Sequence, residues 1–142
     1  MTELRFTVTD ADTAIALGSG DLPVLATPRL LAWLEAATVV AATELVDASS
    51  TTVGVEVSMR HRRASAVGAL IAVEVRSVAE QDRGLAFEVV ARQLPEPGPG
   101  PSGPADGQPS GAAPSVAGEP VVIATGHVVR AVVDRASFLA RL

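Results

Sequence analysis

The fold is decided by residues 27–61, which read TPRLLAWLEAATVVAATELVDASSTTVGVEVSMRH. Thr27 and Pro28 predict the start of a helix, since a hydroxyl side chain suits the cap position and proline suits the first helical position. The helical pattern of apolar residues runs to about Val46. The middle of this helix holds a single charged residue, Glu35. A helix that is apolar nearly all round is a buried helix, so we expect other elements to wrap around it.

After the helix, apolar residues recur at every second position, which predicts a strand with one face turned to the core. Its inward face would consist of Val53, Val55, Val57, Met59 and His61. The same alternation predicts four more strands at Arg5–Thr9, Ala69–Val78, Leu85–Ala91 and Val121–Val133. The predicted order is therefore one strand, a buried helix and four strands.

This order predicts an α+β fold in which an antiparallel sheet wraps around one long central helix, because sequential strands joined by short turns pair antiparallel. Gln81–Gly84 is the turn that makes a hairpin of two of these strands. A single curled sheet leaves an open edge. We therefore expect a homodimer or a dimer of dimers.

The composition excludes several classes of protein. With 16 acidic and 11 basic side chains the net charge is −5, so we expect neither a nucleic-acid nor a membrane partner. The chain has no cysteine, which excludes disulfides, thiolate metal sites and cysteine nucleophiles. Its first residues, MTELRFTVTD, do not resemble a signal peptide, and we expect a cytoplasmic protein.

Residues 95–120 hold most of the prolines and half of the glycines. We interpret this stretch as a disordered insert in a loop between two strands, within a single domain that spans residues 1–142. A polyproline partner motif is the alternative, but the stretch lacks the arginine and leucine anchors that such ligands usually carry.

Three residues of the fold-deciding stretch are candidates for chemistry. Glu35 is a lone carboxylate in an apolar helix, which favours a base or nucleophile; an exposed stripe or a subunit contact is the alternative. His61 ends the inward strand face, where a catalytic and a structural histidine are both consistent with the pattern. Thr27 has an obvious role as the helix cap, and a second role can coexist with it.

Other candidates surround these three. Gly54 interrupts its strand, which indicates either a bulge or an amide that serves as an oxyanion donor. Arg60, Arg62 and Arg63 form a cluster suited to the phosphates of an acyl carrier, but equally typical of a solvated rim. Arg130 lies in an otherwise apolar strand and needs an anionic partner or an exit to solvent. The histidines and Glu35 are not at metal-ligand spacing, and we expect no metal and no cofactor.

Three spacings in this chain resemble the small hot-dog-fold thioesterases of the fluoroacetyl-CoA thioesterase type. That family has a threonine just before its central helix and a glutamate eight residues later, as at Thr27 and Glu35. It has a glycine followed seven residues later by a histidine, as at Gly54 and His61. It also has an arginine four residues after a glycine in the last strand, which Arg130 matches. The resemblance covers residues 5–94 and 121–135.

The resemblance implies a hot-dog fold and an acyl-CoA thioesterase that hydrolyses a small or medium acyl thioester to the free acid and CoA. It implies that Glu35 acts as nucleophile or base, His61 as proton donor and acceptor, and Thr27 as their hydrogen-bonding partner. Gly54 would bind the oxyanion, and Arg130 would assist breakdown of the acyl-enzyme.

One departure limits the expected substrate. Residues 10–26 hold no aromatic side chain, whereas the fluoroacetyl enzyme covers its acyl pocket with an aromatic lid, so selectivity for a fluorinated acyl group is not expected. Because a fold does not fix a function, a non-catalytic hot-dog protein that binds acyl-CoA or another small ligand is the alternative, and a hot-dog hydratase is a third reading.

Overall fold

The computed structural model describes residues 2–96 and 118–142, which form one antiparallel sheet with a long helix packed on it. The strands are β1 (Glu3–Thr7), β2 (Ser50–His61), β3 (Leu70–Gln81), β4 (Gly84–Gln93) and β5 (Val121–Asp134). The helices are α1 (Ala14–Leu17), α2 (Thr27–Thr43) and α3 (Arg135–Ala140), with a short 3-10 turn at Asp10–Asp12. The strands lie side by side in the order β1-β3-β4-β5-β2.

The predicted α+β class, the long helix and the five strands are confirmed. Helices α1 and α3 lie outside the predicted elements. Of the predicted insert at 95–120, residues 97–117 lie outside the described residues, so the insert stays a prediction. No helix in the described part of the chain is long and apolar enough to cross a membrane.

Helix α2 packs on the sheet through one apolar face. Its buried positions recur at the three- and four-residue spacing of a helix face: Leu30, Trp33, Leu34, Ala37, Thr38 and Ala42. Each fully buried leucine contributes roughly 1.5–3 kcal/mol relative to an exposed one. The ring of Trp33 stacks on Phe6 of β1 with 4.5 Å between ring centroids, so the helix also contacts the edge strand.

The opposite face of α2 is exposed to solvent. The prediction that the helix is buried on all sides is therefore wrong. Val39 is 45% exposed and Val40 is 44% exposed. The sheet of one chain covers only the side of the helix that faces it. The helix also ends at Thr43 rather than near Val46, because the N–H groups of Glu44 and Leu45 both turn back to the carbonyl of Ala42 and leave the helical hydrogen-bond pattern.

A bulge in β2 corrects the predicted inward face of this strand. The register of β2 against β5 shifts between Gly54 and Glu56, so that Val55 has no partner in the ladder and is 60% exposed. One extra residue reverses the alternation. Val57, Met59 and His61 keep the predicted side, whereas before the bulge the inward positions are Thr52 and Gly54 instead of Val53 and Val55.

Candidate active site

The start of α2 and the end of β2 bring Thr27 and His61 together. The hydroxyl of Thr27 lies 2.9 Å from Nδ1 of His61. Thr27 is the first residue of the helix, and Ala26 occupies the cap position without any side-chain cap bond. The interpretation of Thr27 as the helix cap is therefore wrong by one residue, and its hydroxyl is available to the histidine.

The imidazole of His61 has one satisfied and one unsatisfied nitrogen. Nε2 is buried and has no hydrogen-bond partner among the described residues. Burial lowers the pKa of His61 below its usual value of 6.5, while the nearby backbone of Arg63 acts in the opposite direction. His61 is therefore mainly neutral at pH 7, the form that can accept a proton.

Glu35 lies on the open side of α2, and its charge is balanced by Arg130. Nη1 of Arg130 donates to Oε2 of Glu35 at 3.2 Å. The side chain of Glu35 is 33% exposed and that of Arg130 is 8% exposed. Glu35 is thus less desolvated than the sequence predicts, and Arg130 has the anionic partner that its place in an apolar strand requires.

Thr52 also belongs to this group, although simple alternation along the strand does not indicate it. Nε of Arg130 donates to the Thr52 hydroxyl at 2.9 Å, and Nη2 donates to the Thr52 carbonyl at 3.3 Å. These two bonds orient the guanidinium while its remaining nitrogen reaches Glu35. The bulge conceals this role, because simple alternation puts Thr52 on the outer face.

Gly54 is required by the position of Glu35. A Cβ atom built on Gly54 would overlap Oε2 of Glu35 and lie 3.4 Å from Nη1 of Arg130. The carboxylate therefore rests against bare backbone at the bulge. A bulge is present, and a side chain approaches the backbone closely, whereas the role of the Gly54 amide as an oxyanion donor stays a prediction.

Within one chain these residues form two separate groups. Thr27 and Glu35 are eight residues apart on α2, which is about 12 Å along the helix axis. No hydrogen bond within residues 2–96 and 118–142 joins Glu35 to Thr27 or His61. Thr27 and His61 make one pair, and Glu35, Gly54 and Arg130 make the other group.

The arginine cluster is divided by the sheet. Arg60 lines an open cavity of about 620 Å³ on the outer face, together with His127 and Glu88. His127 and Glu88 are 2.9 Å apart on that face, as the odd offset of His127 from Arg130 predicts. Arg62 and Arg63 instead line a cavity of about 230 Å³ with Thr27 and His61.

The fold is shared with known thioesterases. A mutant of the fluoroacetyl-CoA-specific thioesterase FlK, crystallised with fluoroacetate and CoA, superposes with a TM-score of 0.73 at 19% identity, covering 99% of this chain and 95% of that one. TTHA0967 of Thermus thermophilus, a thioesterase superfamily member, gives a TM-score of 0.73 at 16% identity, covering 98% and 85%.

A more distant similarity is to HI0827, a hexameric broad specificity acyl-coenzyme A thioesterase, with a TM-score of 0.65 at 16% identity, covering 94% of this chain and 79% of that one. At these identities the likeness shows the fold, and the predicted hot-dog fold is confirmed. A search of curated protein sequences finds no match.

Family membership follows from the sequence itself. Residues 8–96 match the family described as "FlK: Fluoroacetyl-CoA-specific thioesterase". This stretch is more than half of the chain and contains Thr27, Glu35, Gly54 and His61. The resemblance is confirmed, and with it the prediction of an acyl-CoA thioesterase, a thioester hydrolase. The chain belongs to the family of fluoroacetyl-CoA-specific thioesterases.

Proposed function

We propose that this protein hydrolyses small acyl-CoA thioesters at a site built from two copies of the chain. The observation that carries the proposal is the division of the site residues into two groups. Glu35, held by Arg130, has no proton-transfer partner within the described part of its own chain. The Nε2 of His61 is buried and unsatisfied there. Glu35 therefore needs a proton-transfer partner and the Nε2 of His61 needs a hydrogen-bond partner, and each can serve the other.

A two-fold axis across the free edge of β2 would join the two groups. Among the described strands, β2 lies at the edge of the sheet and pairs with β5 alone. When two copies of a strand pair antiparallel about a two-fold axis, the numbers of facing residues have a constant sum. Facing residues point to the same side of the sheet, so the axis passes through Ser58. Because Val55 is left out of the ladder at the bulge, this axis places Gly54 of one copy opposite His61 of the other. It also brings Glu35, which rests against Gly54, toward that histidine.

The open face of α2 supports this arrangement. Val39 and Val40 are apolar and exposed on the side of the helix that the chain's own sheet does not cover. A second copy docked along β2 brings its own α2 close to this side. The same contact would cover apolar surface, satisfy the free edge of the sheet and complete the site.

In the proposed reaction Glu35 acts on the thioester carbonyl, either directly as nucleophile or by removing a proton from the attacking water. The oxyanion receives a hydrogen bond from backbone N–H at the bulge, which we assign to Gly54, because a bulge interrupts the ladder. The C–S bond breaks as CoA leaves; neutral His61 first accepts a proton that comes from the hydrolytic water, directly or by way of Glu35, and then gives it to the CoA sulfur, so that free acid and CoA thiol leave. Thr27 orients the imidazole, and Arg130 holds Glu35 in place and assists breakdown of an acyl-enzyme.

The cavity beside the Thr27 and His61 pair favours a short acyl chain. Its volume is about 230 Å³, and small apolar side chains from the segment before α2 line it: Ala14, Val24 and Leu25. Sites for drug-sized ligands are usually 300–1,000 Å³. We therefore propose small acyl groups over medium ones. We also propose the cytoplasm as the site of action, because acyl-CoA thioesters are formed and consumed there.

The first experiment measures release of free thiol from a series of acyl-CoA substrates with the wild-type chain and with Glu35→Gln. We expect kcat to fall by at least 100-fold in the variant, because the carboxylate acts only in the transition state. The cysteine-free chain adds no background to a thiol reagent. Turnover that survives in Glu35→Gln would refute the mechanism. Binding without turnover by the wild type would favour the non-catalytic alternative.

The second experiment tests whether one site needs two chains. Glu35→Gln and His61→Asn are each expected to be inactive. After the two variants are unfolded and refolded together, half of the dimers are mixed, and each mixed dimer has one intact site, so about a quarter of wild-type activity should return. If a mixture shown to contain mixed dimers stays inactive, the shared site is refuted.

A further inference from the structure

We propose that Arg62 and Arg63 form a phosphate-binding site for the coenzyme portion of the substrate. This inference rests on the proposed function, because it names the part of acyl-CoA that these residues would bind. It concerns affinity for the carrier and assigns neither residue a part in bond breaking. The chemistry in question is recognition of a phosphate group by guanidinium.

The first observation is that these arginines are not engaged elsewhere. Neither forms an ion pair with any other residue in 2–96 or 118–142, which is also true of Arg60, Arg83, Arg135 and Arg141, but these two are adjacent and line the cavity beside His61. Their backbone is nevertheless fixed. The N–H groups of Arg62 and Arg63 donate to the carbonyl of Ile123 at 2.7 and 3.3 Å. Two adjacent positive charges in a chain with net charge −5 are thus anchored by their backbone and have no ion-pair partner among the described residues.

The second observation is their position at the junction of two cavities. The 230 Å³ cavity beside His61 is lined by Arg62 and Arg63. A second cavity of about 530 Å³ shares Arg63 and Ala64 with it and continues along Leu94. If the acyl group occupies the smaller cavity, the larger one is the outlet for the long pantetheine arm. The pantetheine arm has many rotatable bonds, so the phosphate at its other end can fold back to the arginines, which line the place where the two cavities meet.

The reach of the two residues is consistent with this role. Arg63 follows His61 by two residues, so their Cα atoms are at most about 7 Å apart, and the arginine side chain extends further. Glu119 is the acidic residue among those that line the larger cavity. Its charge would repel phosphate, which favours the arginine end of the cavity as the site of the phosphate groups.

Arg60 provides a matched control. It lies on the same stretch of chain and carries the same charge, but it lines the cavity on the outer face of the sheet. A general effect of net charge on an anionic ligand would be equal for Arg60→Ala and Arg63→Ala. A specific phosphate site would be sensitive to Arg62 and Arg63 alone.

The experiment measures binding by calorimetry, without turnover, for CoA, for 4′-phosphopantetheine and for pantetheine, which carries no phosphate. The wild type should bind CoA more tightly than pantetheine. In the double variant Arg62→Ala/Arg63→Ala this preference should fall by about 10-fold or more, as expected for lost hydrogen bonds to a charged group. Arg63→Lys should retain part of the preference, Arg60→Ala should retain all of it, and Glu119→Gln should increase it.

The ligands also distinguish the source of the phosphate. An effect seen with both CoA and 4′-phosphopantetheine assigns the site to the phosphate next to pantetheine, which a carrier protein shares. An effect seen with CoA alone assigns it to the nucleotide phosphates. The proposal is overturned if the wild type shows no preference for CoA over pantetheine, or if Arg60→Ala weakens CoA as much as the double variant. Because binding is measured directly, a failure of hydrolysis leaves this test intact.

Discussion

Replacing Gly54 with alanine should separate the activity of this protein from its stability. A Cβ atom at this position overlaps Oε2 of Glu35, so the carboxylate must move away from the bulge. Oε2 is the end of a flexible side chain that is one-third exposed, and it can move into solvent without disturbing the core. The change therefore acts on the placement of one carboxylate and on little else.

The magnitudes follow from the contacts. The displaced carboxylate loses its 3.2 Å bond with Arg130, which costs about 1 kcal/mol for a partly exposed pair. Alanine in place of glycine within a strand stabilises the folded state by about 0.5–1 kcal/mol. The free energy of unfolding should thus change by less than about 1 kcal/mol. Displacement of a catalytic group by about 1 Å can cost about 100-fold in rate, so kcat should fall by that factor.

The assay combines thiol release from acyl-CoA with chemical unfolding, and Gly126→Ala is the control. A Cβ at Gly126 lies 3.0 Å from the Ser58 carbonyl and 3.1 Å from Cδ1 of Leu34, so it overpacks the core and should cost about 1–3 kcal/mol while kcat changes little. Wild-type kcat in Gly54→Ala would refute the reasoning. So would a double variant Gly54→Ala/Glu35→Gln that is much slower than Glu35→Gln, because no correctly placed carboxylate is left to lose.

Three further predictions concern charge, pH and packing. Glu35→Gln should lower the free energy of unfolding by about 1–3 kcal/mol, measured by denaturant titration, because the buried Arg130 loses its anionic partner but keeps its bonds to Thr52. The pKa of His61 is lowered by burial, so its contribution to stability is complete above pH 6.5 and decreases as the pH falls from 6.5 through the lower folded-state pKa. Likewise kcat/KM should fall with an acid limb whose midpoint is below 6.5, and a midpoint above 6.5 would contradict the assignment of His61 as the titrating group. Leu34→Ala should cost about 2–5 kcal/mol in thermal or chemical unfolding, because this side chain is fully buried, and a loss below 1 kcal/mol would contradict the packing described.

Much of the fold can be predicted from local patterns in the sequence. Periodicity finds the strands and the long helix, because each buries a repeating face. The same rule fails at the bulge in β2, where one additional residue, Val55, reverses the faces of everything before it. Gly54 is the signal of this irregularity, but a glycine alone does not say on which side of it the alternation changes.

The candidate site was predictable as a set of residues and not as an arrangement. Glu35 and Arg130 are both charges in apolar elements, yet their pairing depends on the strand order that brings β5 beside β2. Periodicity does not identify Thr52, because the bulge reverses the alternation on which the prediction depends. Periodicity predicts the helix face with Val39 as buried, and this face is open because the chain's own sheet packs on the opposite side of the helix.

The contact between Trp33 and Phe6 gives the protein an internal optical reporter. The chain has one tryptophan and no tyrosine, so its near-ultraviolet emission comes almost entirely from this one stacked indole. The indole is 8% exposed and joins the helix that carries Glu35 to the outermost strand of the sheet. The intensity and wavelength of the emission will therefore report whether that helix is packed against the sheet. No label is needed to follow this packing during refolding, subunit exchange or ligand titration.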